Sequence, residues 1–163
     1  RIEEAKGVMR ILKALANHPH SEWFNVLHVI GEGPERNKFE QMAKKIPISV
    51  IFHGLLNRQQ VFEIYQQTHM LLLPSDSEGF PKVIAEAANF GCIPVVSDVS
   101  SISQYISENM GYLWQPKKEA FLQFFIKLYL TNGSLSNKAK NIGLLAGKFT
   151  FARYIGRIKN EIV

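Results

Sequence analysis

Short apolar runs recur along the chain, each ending in turn residues: NVLHVIG (25–31), ISVIFHG (48–54), HMLLLP (69–74) and IPVVSD (93–98). They are rich in Val, Ile and Leu with little polar alternation, the pattern of strands buried on both faces. MGYLW (110–114) is a weaker fifth. Between them lie segments whose apolar positions recur at helical spacing: KGVMRILKALAN, PERNKFEQMAKK, NRQQVFEIYQQT and PKVIAEAANF. Strand alternating with helix predicts an α/β fold with a doubly wound parallel sheet. The remainder, KEAFLQFFIKLYL, NKAKNIGLLAG and ARYIGRIKNEIV, reads as a helical C-terminal tail.

The 163 residues, 46% hydrophobic, suffice for one ordinary core, so a single domain over residues 1–163 is expected. No apolar run approaches the roughly 18 residues of a membrane span, and the charged opening RIEEAKG does not resemble a signal peptide. The first residue is not Met, which suggests a piece of a longer protein. A lone Cys92 suits a reducing compartment and reads as a small buried thiol. The formal charge of +5 favours an anionic partner, and the basic bias after Ser134 reads as a solvated face, with contact to anionic lipid left open.

In such a sheet, ligands bind beyond the carboxyl ends of the strands. The loop after the third run, SEGFPKVIAEAANFG (77–91), carries the most chemistry. Pro81 suits a first helical position and Gly91 the stop. The N–H groups of Gly79, Phe80, Lys82 and Val83 then lack helical partners at the positive end of the dipole, a place for an anion. Gly79 lets a phosphate approach the backbone. In the helix, Val83, Ile84, Ala87 and Ala88 form the expected apolar face, while Lys82, Glu86 and Asn89 form a polar stripe. Glu78 and Glu86 sit at different heights, too far apart for an acid/base dyad. A diphosphate at the helix start, a diol at Glu86 and a third group at Glu78 would suit a nucleotide sugar. Against this stands the plainer reading, in which Glu78 complements the helix dipole and Glu86 is a solvated surface group.

The passage EGFPKVIAEAANFGCIPVVSD resembles the E-x7-E signature of retaining GT-B glycosyltransferases of family 4 (glycosyltransferase group 1), as do Lys6-Gly7, VIGEGPER (29–36) and FHG (52–54). The resemblance covers nearly the whole chain and implies a Rossmann-like fold, the C-terminal, donor-binding half of a GT-B enzyme active in polysaccharide biosynthesis. An N-terminal acceptor domain would be absent from this chain, which alone would be inactive. Carried onto matching positions, Glu86 would bind the ribose hydroxyls and Glu78 the donor sugar. Gly79, Phe80, Pro81 and Lys82 would form the turn beside diphosphate and sugar, and Arg1 and Lys6 would neutralise the diphosphate. The implied partners are a nucleotide-diphosphate sugar and a carbohydrate or lipid-linked acceptor, with no nucleic acid, no metal and no cofactor. The implied location is the cytoplasm, with contact at the inner face of a membrane left open. The resemblance also places a central strand ahead of Arg1.

One departure stands out: where the family usually has Gly-Gly and then Pro-Glu, this chain has Ser100, Ser101 and Gln104, which would narrow the sugar pocket. Other readings are weaker. GEGPER lacks the third glycine of a dinucleotide fingerprint and reads better as a strand-to-helix turn. Asp76 and Glu78 form an Asp-x-Glu pair like the metal motif of GT-A transferases. The histidines show no ligand spacing beyond the close pair His18 and His20; His53 could line the nucleotide pocket or end a strand. A nucleotide-sugar-binding module without catalysis is the functional alternative; a related GT-B epimerase or phosphorylase is another.

Overall fold

The computed structural model describes residues 2–78, 82–100, 102–130 and 135–146. Strand β1 (Val26–Ile30) pairs in parallel with β2 (Ser49–Gly54); β3 (Met70–Leu73), β4 (Ile93–Ser97) and β5 (Tyr112–Trp114) form a second parallel set with β4 in the middle. The helices between them are α1 (Val8–Asn17), α2 (Arg36–Ala43), α3 (Arg58–Tyr65) and α4 (Lys82–Ala88), followed by α5 (Phe121–Leu130) and α6 (Leu135–Ala146). The weak fifth run is thus a strand. ARYIGRIKNEIV lies outside the described residues.

The double winding can be read from which neighbours each strand residue meets. Met70, Leu72, Val95 and Tyr112 join the core that contains Met9, Leu12, Leu15 and Phe125, from α1 and α5. Leu71, Leu73, Val96 and Leu113 join the core of Ile84, Ala88 and Ile142, from α4 and α6. Alternate residues therefore serve opposite faces, each covered by helix, which is why these strands read as unbroken apolar runs. All residues of β4 are buried. On β1 and β2, Leu27, Val29, Val50 and Phe52 face α1 and Phe39 of α2, while Val26 and Ile51 remain 41% and 42% exposed.

The strands are hydrogen-bonded in two sets rather than one, and β1 and β3 each leave an edge unpaired among the described residues. The segment entering α1 spans their carboxyl ends. Ile2 N–H donates to Glu32 O (3.0 Å) beyond β1, and Asp76 N–H beyond β3 donates to Ala5 O (2.9 Å). Two glycines permit this contact. A Cβ on Gly33 would lie 1.7 Å from Ile2 O, and one on Gly7, whose φ is 80°, would lie 2.1 Å from Pro74 O. Gly33 therefore serves a chain crossing, in accord with GEGPER as a strand-to-helix turn. Arg36 opens α2 and bridges Glu32 and Glu40, each four residues away.

One expectation on α4 is corrected. Ile84, Ala87 and Ala88 are buried, but Val83 is 37% exposed. The apolar stripe of this helix is one residue narrower than its composition suggests, because at 3.6 residues per turn Val83 lies about 100° from Ile84, at the margin of the stripe that Ile84, Ala87 and Ala88 define.

Candidate functional site

The loop from Pro74 to Glu78 leaves the carboxyl end of β3 and leads toward α4. Pro74 and Ser75 are fully buried, so its root is fixed by packing. Beyond them Asp76 and Glu78 rise into the crevice beside the segment that enters α1. The structure brings two of the expected site residues together there: Lys6 Nζ donates to Glu78 Oε1 at 2.8 Å. The Glu78 side chain is 11% exposed and that of Lys6 35%, so the carboxylate is enclosed while the ammonium stays within reach of a ligand.

A second ion pair lies alongside. Arg10 Nη2 reaches Asp76 Oδ1 at 2.5 Å, Nη1 donates to Pro74 O at 2.9 Å, and the guanidinium lies 5.5 Å from the centre of the Trp114 ring. Asp76 and Glu78, which sequence alone paired as a metal motif, are thus each engaged by a separate cation. An open groove of about 640 Å³ runs past Arg10, Asp76, Trp114, Lys117 and Lys118.

Lys82 is exposed at the start of α4. Glu86, one turn on, is half-buried rather than fully solvated, and its charge is felt by Tyr65 at the end of α3. Burial first, then Glu86 and Cys92, push the Tyr65 phenol up to about 12, so it remains a neutral hydroxyl. Burial also pushes the Cys92 thiol up to about 11; its sulfur donates to the carbonyls of Tyr65 and Thr68, the small structural thiol expected. Arg1, Gly79, Phe80, Pro81 and Ser101 lie outside the described residues. Ser100 adopts φ 54°, the left-handed conformation that favours glycine. Gln104 is exposed in a short 3-10 turn, Ile102–Gln104.

The histidines divide between core and strand pairing. His18 is buried against Phe24 and Phe125, and His20 stacks on Tyr129. His53 Nε2 lies 2.8 Å from His28 Nδ1 on the neighbouring strand, with the rings stacked. The residues that sequence reasoning missed are Arg10, four positions beyond Lys6, and His28 as the partner of His53. A cation one turn after Lys6, close to the start of α1, was the available signal for Arg10.

Parallel strands alternating with helices, with β3–β4–β5 covered on both faces, are the architecture of a Rossmann-like half of the GT-B class. Residues 1–144 match the family described as glycosyl transferases group 1, and the chain belongs to that family. The lipopolysaccharide glucosyltransferase of Escherichia coli (strain K12) is 31% identical over 133 residues, which cover 80% of this chain and 35% of that protein. The lipopolysaccharide 1,6-galactosyltransferase of the same strain is 28% identical over 172 residues, covering 100% of this chain and 46% of the relative. The chain therefore spans less than half the length of either. Among solved structures, Anabaena HepE in complex with UDP-glucose superposes with a TM-score of 0.80 over 99% of this chain and 46% of its own, at 18% identity, a likeness of fold.

Proposed function

We propose that the protein carrying this chain transfers a sugar from a nucleoside-diphosphate donor to a growing glycan or a lipid-linked saccharide, with retention at the anomeric centre. This chain is its donor-binding half, and a separate N-terminal domain supplies the acceptor site. The observation that carries the reading is the Lys6–Glu78 pair at the carboxyl end of β3, beside the chain's entry into α1. A cation and an enclosed carboxylate at one spot suit the two ends of the bond to be broken. Lys6, joined by Arg1, takes the charge that develops on the leaving diphosphate, while Glu78 accepts hydrogen bonds from the donor sugar. Glu86 takes the ribose hydroxyls, and Gly79, Phe80, Pro81 and Lys82 line the turn beside the phosphates. The lipopolysaccharide relatives support a glycan or lipid-linked acceptor. We place its work in the cytoplasm, with contact at the inner face of a membrane left open.

In this account the charge work is done by cations and backbone N–H groups, so donor binding needs no divalent metal. Calorimetric titration of the full-length protein with a nucleotide sugar should give the same affinity with and without EDTA, and product analysis should show transfer with retained configuration. An affinity abolished by EDTA and restored by manganese would instead assign Asp76 and Glu78 to a metal.

A further inference from the structure

We propose that Arg10 is a positioning residue that holds Glu78 in place when Lys6 leaves it for the donor phosphates, an inference that rests on the donor-site reading above. Lys6 and Arg10 lie four residues apart where the chain enters α1, and Asp76 and Glu78 lie two apart on the loop after β3. Each cation reaches one carboxylate, so the loop is held by two neighbouring ion pairs, at 2.8 Å and 2.5 Å. A ligand affects the two differently. Lys6 is assigned to the diphosphate, and a bound nucleotide therefore competes with Glu78 for its ammonium.

Arg10 is committed to the protein. Its guanidinium is shared among Pro74 O at the buried root of the loop, Asp76 in its middle and the face of Trp114 at the end of β5. The Asp76 N–H, bound to Ala5 O at 2.9 Å, closes the same contact from the backbone side. Asp76 is half-exposed, so the ion pair alone is screened, and the fork geometry of arginine onto a carbonyl and a carboxylate together is what fixes the loop. When Lys6 turns to the phosphates, Arg10 keeps the Glu78 backbone in position. The carboxylate is then free for the sugar hydroxyls without becoming mobile.

The test uses the full-length protein with Arg10→Met, Arg10→Lys and Glu78→Ala. Arg10→Met should bind nucleoside diphosphate within about twofold of the wild type yet lose about tenfold in kcat for sugar transfer, with partial recovery in Arg10→Lys. Combined with Glu78→Ala, Arg10→Met should cost little more, since both act through one carboxylate. Hydrogen exchange at the Asp76 amide should quicken about tenfold in Arg10→Met, with and without nucleoside diphosphate. Transfer at the wild-type rate, or an undiminished loss on the Glu78→Ala background, would overturn the proposal. If the wild type neither binds nor transfers, the donor-site reading fails, and the Asp76 amide still decides the tether: faster exchange supports it and unchanged exchange overturns it.

Discussion

At the scale of single residues, Ser100 is the sharpest departure from the family pattern. It sits at φ 54°, where a Cβ crowds the following carbonyl and a non-glycine residue is disfavoured by about 1 kcal/mol or more. A glycine would take this conformation without that cost, so the serine here is strain retained in this chain. Ser100→Gly should therefore stabilise the protein by about 1 kcal/mol in urea unfolding; equal or lower stability would refute the strain. The departure was visible in the sequence as VSSISQYI, but its meaning was not, because a dihedral angle is set by the chain on both sides. The same holds for Arg10. Its charge was legible, but its partners lie 64 and 66 residues away in sequence and meet it only once β3 and α1 are packed.

At the scale of elements, the strands and most helices were legible because burial on both faces of β3, β4 and β5 makes them continuous apolar runs, and even β5, only Tyr112–Trp114, keeps that character. The β1–β2 pair shows where such reading stops. Its second face carries exposed Val26 and Ile51 and the stacked His28 and His53, so residues that read as core or as pocket lining are neighbours across strands. The contact between His28 Nδ1 and His53 Nε2 cannot survive with both rings charged, and burial, then the His53 charge, lowers the His28 pKa from its ordinary 6.5. Burial lowers that of His18 likewise. A folded-state histidine pKa below the unfolded value adds stability above about pH 6.5 that is lost as pH falls through the folded value. The thermal midpoint should accordingly drop as pH is lowered from about 7 to about 5, and His28→Gln should flatten part of that fall. A His28→Gln profile parallel to the wild type would show that the pair does not titrate with folding.

At the scale of the whole molecule, two parallel strand sets, β1–β2 and β3–β4–β5, are bridged at their carboxyl ends by the segment that leads into α1. Lys6, Arg10, Asp76 and Glu78 meet at this bridge. The place of the candidate site was legible because loops at strand ends are local stretches of sequence, as in SEGFPKVIAEAANFG, whereas the ion pairs of Lys6 and Arg10 belong to the assembled fold and left no mark in spacing. The central claim is that Glu86 holds the nucleotide and Glu78 the transferred sugar. Calorimetry of the full-length protein with a nucleoside diphosphate, comparing the wild type with Glu86→Ala and Glu78→Ala, tests it most directly. Loss of a charge-assisted hydrogen bond should weaken Glu86→Ala by about tenfold or more. Glu78→Ala should bind nucleoside diphosphate at least as tightly as the wild type, because Lys6 no longer has to give up its 2.8 Å ion pair to reach the phosphates, while turnover with the sugar donor falls. Equal losses of nucleoside diphosphate affinity in the two variants would contradict the assignment.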